Sequence, residues 1–285
     1  MASDLSDEIL ERALTGRFGR YRRVYDSIDS TNLEALRWAA EEGAAEGSLV
    51  VSDVQTAGRG RWGRTWVAAP GSGLMFSVVL RPRGPTSGGP HSKHDSIEAG
   101  LLTTAAGIAV ADGIQRTSGL PTVLKWPNDV LIAGRKVAGI LVEARTGGPV
   151  KDAAGNAVVV GAGINLHWRR DDIPADLAES ATSIAAEVTG RKEYRVPARA
   201  ELLAAVLTKL ENLYRYVEAG GGSEVIVTNA AQRSAVIGER VTIRFADGTG
   251  AEGLATGLAP NGGLILDGKR IITAGEIEHL RPGST

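Results

Sequence analysis

Residues 55–66 read Gln-Thr-Ala-Gly-Arg-Gly-Arg-Trp-Gly-Arg-Thr-Trp, and apolar, β-branched runs flank them at 48–55 and 73–81. Runs of that length and composition predict buried strands. The window between them is therefore a structured connection and not part of a tail. Gly58, Gly60 and Gly63 alternate in it with Arg59, Arg61 and Arg64. Glycines let a backbone wrap closely around a ligand, and arginines supply planar, permanently charged donors for carboxylate and phosphate. A solvated basic turn, or an RNA-contacting Gly/Arg patch, is the competing reading. Because the window occurs once and lies between strands, a loop that folds over an anionic ligand accounts for it better.

The same logic lays out the rest of the chain. Residues 1–20 predict a short helix running into a linker, and 23–29 a first strand. Ser30-Thr31-Asn32 opens a helix, with Ser30 or Thr31 available as N-cap and Glu34 in the first turn. Residues 84–96, rich in Gly, Pro and Ser, predict a mobile surface loop, and 97–115 a central buried helix. Residues 123–133 and 136–145 predict a hairpin turning at Ala133-Gly134, followed by a strand at 157–166. A long amphipathic helix is expected over 197–219, with a shorter one near Ser223. From 238 to 280 the texture changes to four or five short strands, punctuated by Asp247-Gly248, Asn261-Gly262 and Asp267-Gly268, pairs that supply the positive φ of tight hairpins. The expected architecture is a mixed α/β catalytic domain over residues 1–232 and a small SH3-like β-barrel over 233–285.

Composition narrows the function. The 285 residues are 43% hydrophobic and carry a net charge of −1, so any basic site is local, and neither a nucleic-acid nor a membrane partner is expected. No apolar run is long enough to span a bilayer, and the N-terminus lacks the basic flank and apolar core of a secretion signal. Cysteine is absent, which excludes disulfides, thiolate metal sites and any route that parks an acyl group on an enzyme thiol. A cytoplasmic enzyme is the expectation.

Three further segments carry chemistry. Lys125-Trp126-Pro127-Asn128-Asp129 follows a strand, and Pro127 forces a turn that projects Lys125, Asn128 and Asp129 together. Such a group suits a phosphate with its Mg²⁺, or simply a hairpin entry with solvated polar residues. In the following strand, simple alternation places Lys136, Ala138 and Ile140 on one face and Val137, Gly139 and Leu141 on the other. Lys136 then either reaches out to water or grips a substrate carboxylate. Residues 161–165, Gly-Ala-Gly-Ile-Asn, lack the third glycine and strand-turn-helix setting of a dinucleotide fingerprint. Glycines late in a strand instead predict close approach of backbone and ligand. His91 and His94 lack further ligands nearby, so no zinc site is expected.

In this order, Ser30-Thr31-Asn32, residues 55–61, Lys125-Trp126-Pro127-Asn128-Asp129, Lys136 with Gly139 and Glu143, and residues 161–165 resemble the biotin–protein ligase family. The resemblance spans about residues 25–170, with a weaker match of the C-terminal barrel. It implies a mixed, mainly antiparallel sheet with packed helices, of the class II aminoacyl-tRNA synthetase and biotin ligase kind. It also implies activation of biotin by ATP to biotinyl-5′-AMP and transfer to a lysine of the biotin carboxyl carrier domain of an acyl-CoA carboxylase. By the same resemblance, Ser30, Thr31, Asn32 and Gln55 line the pocket for biotin's ureido head, and Arg59, Gly60 and Arg61 form a loop over the adenylate. Lys136, with Gly139 beside it, binds the biotin carboxyl group and with Arg61 is catalytic. Arg61, Arg64, Trp66, Lys125, Asn128, Asp129 and Asn165 form the ATP side, with Asp129 toward Mg²⁺.

Two rivals stand against this assignment: a lipoate–protein ligase on a related fold, and a non-enzymatic binding module. Only about 25 residues precede the first strand, too few for the helix-turn-helix repressor domain that some relatives carry. A stand-alone ligase, monomer or homodimer, is expected.

Overall fold

The computed structural model describes residues 4–82, 99–145, 157–219 and 222–281. The loop expected at 84–96, with its two histidines, lies outside the described residues. In chain order the elements are α1 (Asp7–Ala13), β1 (Arg22–Ile28), α2 (Thr31–Glu41), β2 (Leu49–Gln55), β3 (Gly73–Leu80), α3 (Ala99–Ser118), β4 (Val123–Lys125), β5 (Asp129–Ile132), β6 (Arg135–Arg145) and β7 (Ala157–Asn165). There follow α4 (Ile184–Val188), α5 (Arg199–Glu218), α6 (Ser223–Gln232), β8 (Arg240–Arg244), β9 (Gly250–Leu258), β10 (Leu264–Leu266), β11 (Arg270–Ile272) and β12 (Glu276–Arg281).

Seven strands form one mixed sheet in the order β1-β2-β3-β7-β6-β5-β4. Only β1 and β2 are parallel, joined through α2; every other neighbouring pair is antiparallel. Alternation along β3 sends Leu74, Phe76 and Val78 to one face, beside Ile164, Ala162 and Val160 of β7. That face packs with α3 and α5 into the main core. Among the described residues, helix packing covers only half of the opposite face. Val50, Val79 and Val159 meet Ala35 and Ala39 of α2, and beyond the start of α2 the sheet offers Gly139, Gly161 and Gly163 instead of side chains.

Two local features differ from simple expectation. Residues 123–133 are not one strand: the chain breaks at Trp126-Pro127-Asn128, and β4 folds back on β5, so that Lys125 pairs with Asp129. The turn at Ala133-Gly134 is where expected, with both residues at positive φ. The register of β6 then shifts by one residue, because Val130 pairs with Ala138 while Leu131 pairs with Lys136. Val137 is the extra residue of this bulge and sinks into the core. The bulge overturns strict alternation and brings Lys136 onto the same face as Gly139.

The C-terminal strands form a separate five-stranded antiparallel sheet in the order β11-β10-β9-β8-β12. The expected turns are present, with Gly248, Gly262, Asp267 and Gly268 all at positive φ. Between the two sheets, residues 233–235 lie along β4: Leu124 N–H donates to the Arg233 carbonyl and Ala235 N–H to the Leu124 carbonyl, each at 2.8 Å. Trp126 crosses over as well. Its indole sits in the C-terminal core with Val236, Leu264 and Ile277, and its Nε1 donates to the Gly262 carbonyl at 3.1 Å. Truncation to Trp126→Ala is expected to cost about 3–5 kcal/mol, as for other buried tryptophans. Chemical denaturation checks this; an unchanged midpoint would refute the anchoring role. Among the described residues, no helix is long and apolar enough to cross a membrane.

Candidate active site

The glycine-floored half of the sheet is the base of a cleft of about 180 Å³. Its walls are the start of α2, the 58–66 loop, the β4–β5 turn and residues of β12. Gly139 and Gly163 are cross-strand partners, and the Trp66 indole lies in the space that their missing side chains leave. A Cβ on Gly163 would stand 2.4 Å from Trp66. One on Gly161 would stand 2.0 Å from Asn32 Oδ1. These glycines line the cleft, and the room that their missing side chains leave also seats Asn32 and Trp66.

At the α2 end the cleft is polar. Thr31 donates to Gln55 Oε1 from its N–H at 2.8 Å and from its hydroxyl at 3.1 Å. Ser77, fully buried in β3, lies 2.8 Å from the Thr31 hydroxyl and donates to Asn32 Oδ1 at 2.6 Å. The Asn32 amide in turn donates to the Leu141 carbonyl at 3.2 Å and to Glu143 Oε2 at 2.8 Å. Ser30 holds the N-cap position of α2, as expected of Ser30 or Thr31, but without a side-chain capping bond. Its N–H donates instead to Asp29 at 2.6 Å, and Arg37 grips the same carboxylate. Beneath this turn, burial would raise the Glu34 carboxyl, but bonds from Tyr25, Arg23 and Arg37 outweigh it and hold the group below its ordinary value. These ionic contacts fix where α2 begins, and so where Ser30 and Thr31 face.

At the other end the cleft is charged. Lys136 Nζ lies 2.6 Å from Asp129 Oδ1 and 5.7 Å from the centre of the Trp66 ring. Arg61 donates to the Gly275 carbonyl at 3.0 Å and to Asn128 Oδ1 at 3.4 Å, and Arg64 pairs with Glu276. Burial pushes the Arg61 guanidinium down from its ordinary value, with Glu276 and Asp129 pulling the other way. Lys125 also lines this end. The loop that carries the arginines is a compact hairpin held by its own backbone. Gly60 N–H donates to the Arg64 carbonyl at 2.7 Å and Trp66 N–H to the Gly58 carbonyl at 2.9 Å. At Gly58 the chain passes so close that a Cβ would stand 2.3 Å from the Trp66 carbonyl, which is why the position is glycine.

Comparison with known proteins bears on what this cleft serves. The model of the biotin/lipoate A/B protein ligase family matches residues 24–165, and that of the biotin protein ligase C terminal domain matches 236–280. A biotin–[acetyl-CoA-carboxylase] ligase of Mycobacterium tuberculosis is 31% identical, across 97% of this chain and 96% of that protein. This chain belongs to the biotin protein ligase family. Its counterpart in Paracoccus denitrificans is 33% identical, over 87% of this chain and 96% of its own length. The structure of the Aquifex aeolicus biotin protein ligase in complex with biotin and ATP superposes with a TM-score of 0.70 at 26% identity, covering 93% of this chain and 100% of that one. The chain is an ATP-dependent biotin ligase.

The ligase cleft gathers Ser30, Thr31, Asn32, Gln55, Arg59, Gly60, Arg61, Arg64, Trp66, Lys125, Asn128, Asp129, Lys136 and Gly139. Asn165 is not brought to it. The residue is buried, and its amide donates to the Thr182 carbonyl at 3.0 Å, which ties the end of β7 to the segment before α4. Ser77, Glu276 and Ile277 belong to the site or its support but were not singled out from sequence. A serine in the otherwise apolar run Leu-Met-Phe-Ser-Val-Val-Leu was the available signal for Ser77, because a buried polar residue needs partners. For Glu276, more than two hundred residues from the loop it meets, no local signal existed.

Proposed function

We propose that biotin lies along the glycine floor, its ureido ring among Ser30, Thr31, Asn32 and Gln55 and its carboxylate at Lys136. ATP enters from the side of Arg61, Arg64, Lys125, Asn128 and Asp129, with Trp66 between the two. The observation that carries this assignment is the polarity of one cleft: neutral hydrogen-bonding groups at one end, and Lys136, Asp129 and Arg61 at the other.

Biotin's carboxylate oxygen attacks the α-phosphorus of ATP, and the bond to pyrophosphate breaks. Charge develops on phosphoryl oxygens, where fixed Arg61 and Lys136 stabilise it without reorganising. The acceptor lysine, as a free amine, then attacks the anhydride carbonyl; it loses a proton and AMP departs. The acceptor is a biotin carboxyl carrier domain of an acyl-CoA carboxylase, met in the cytoplasm. The ligase domain occupies residues 1–232 and the β-barrel 233–285. Asp129, a carboxylate at the charged end of the cleft, would hold a Mg²⁺ carried in on the triphosphate. That mode suits a metal that keeps most of its waters, and the ion would neutralise phosphate charge.

Incubation with ATP, Mg²⁺, labelled biotin and a carrier domain tests the assignment. Labelling of the carrier with biotin and not with lipoate is expected; the reverse preference would overturn it. Within the same assay, Arg61→Ala is expected to release free biotinyl-adenylate into solution, because the loop that shields the anhydride loses its bonds to Gly275 and Asn128. Leakage equal to that of the unaltered enzyme would rule out the shielding role.

A further inference from the structure

Among the described residues, Glu143 is the one acidic group that touches both the floor of the polar pocket and the arginine loop. Its Oε2 accepts from the Asn32 amide at 2.8 Å, and its Oε1 lies 2.9 Å from Arg59 Nη2. The proton directions along this chain are fixed by counting donors. The Asn32 amide must donate to both the Leu141 carbonyl and Glu143, so its Oδ1 can only accept. The Ser77 proton is therefore spent on Asn32, and toward Thr31 the Ser77 oxygen can only accept. The Thr31 hydroxyl is left with a choice between Ser77 and Gln55 Oε1, which already takes the Thr31 N–H. A ligand that takes the Gln55 carbonyl turns the Thr31 proton toward Ser77, and because a hydroxyl that accepts a bond donates more strongly, the Ser77–Asn32 bond tightens and with it the hold of Asn32 on Glu143.

We propose that Glu143 is a positioning residue that couples occupation of the polar pocket to closure of the arginine loop. The proposal rests on the placement of the biotin ring at Thr31 and Gln55. Four contiguous polar contacts join the two, and each sits on a rigid element: Thr31 and Asn32 at the start of α2, Ser77 in β3, Glu143 in β6. The outer contact is the loose one. Arg59 is 42% exposed and Glu143 20%, so the pair can open without stranding a buried charge. A loop tied to the sheet at this point can therefore be released or held according to how firmly Asn32 keeps Glu143 in place.

The test is backbone hydrogen exchange of residues 58–66 followed by mass spectrometry, on the full chain, with and without biotin. In the unaltered protein biotin is expected to slow exchange there by about fivefold or more, the usual range of coupling between sites. Glu143→Gln keeps an acceptor for Asn32 but loses the charge that holds Arg59, and the biotin-dependent slowing should disappear while exchange in β3 and β7 stays as before. Free biotinyl-adenylate should accumulate, with the KM for biotin little changed. Arg59→Ala approaches the same contact from the exposed end and cannot disturb the core; it should remove the slowing too, and the double variant should be no worse than either. Retention of the slowing in either single variant would overturn the proposal, and Arg59→Ala decides if Glu143→Gln fails to fold. An unaltered protein that makes adenylate without slowing exchange would also overturn it and leave the placement of biotin standing. One that neither binds biotin nor makes adenylate would overturn that placement itself.

Discussion

Lys136→Gln is expected to slow biotinyl-adenylate formation by about 10²–10³-fold, the usual cost of removing one fixed donor from developing charge. Lys136 reaches the charged end of the cleft because of the Val137 bulge and is held there between Asp129 and the Trp66 ring. Glutamine can still donate one hydrogen bond but carries no charge. Biotin binding should weaken less than the chemical step, since the carboxylate is already charged in the ground state while new charge appears at phosphorus only as the reaction proceeds. Pyrophosphate release under single-turnover conditions measures the step. If the rate stays close to that of the unaltered enzyme, Lys136 is not the group that meets the transferring charge. Supplying preformed biotinyl-adenylate should bypass most of the defect, which separates it from misfolding.

The second large effect is expected at a residue without a side chain. Gly161→Val places a Cβ where Asn32 Oδ1 now stands, 2.0 Å away, in the middle of a sheet that cannot move aside. Asn32 must leave, and its buried amide then gives up the Leu141 carbonyl, Glu143 and Ser77. An unsatisfied buried group costs about 1–3 kcal/mol, and overpacking adds a similar amount to the loss of stability. Biotin affinity, read by titration calorimetry, should fall by about 10²-fold, since 1.4 kcal/mol is tenfold. Unchanged affinity would mean that Asn32 has no part in shaping the biotin pocket. Gly163, two residues on, makes the contrast, because its missing Cβ accommodates Trp66 and not Asn32.

Much of this arrangement was legible in the residues themselves. Asx-Gly pairs and the Ala133-Gly134 turn announce positive φ, and the structure has it at Gly248, Gly262, Gly268 and Gly134. The loop at 58–66 was recognisable because glycine and arginine alternate between two strands. What could not be read was set by neighbours distant in sequence. A one-residue bulge leaves no mark in Lys-Val-Ala-Gly-Ile-Leu, yet it decides which face Lys136 serves. Asn165 stands in a glycine-rich motif beside the cleft, but the Thr182 carbonyl claims its amide. Gly161 and Gly163 announce a close approach to the sheet, and only the folded chain shows that Asn32 and Trp66 pack there beside the cleft. Glu276 enters through a strand of the other sheet, a relation that no local pattern encodes.

Trp126 separates two kinds of failure that an activity assay alone would merge. Its neighbours Lys125, Asn128 and Asp129 line the charged end of the cleft, while its own ring is sunk in the core of the second sheet. The stretch from 125 to 129 is thus at once a cleft wall and a rivet. A lesion at 128 or 129 should yield a sound protein that turns over poorly. A lesion at 126 should yield a protein that unfolds more readily whatever its chemistry, and its cure would be a stabilising change elsewhere in the C-terminal core.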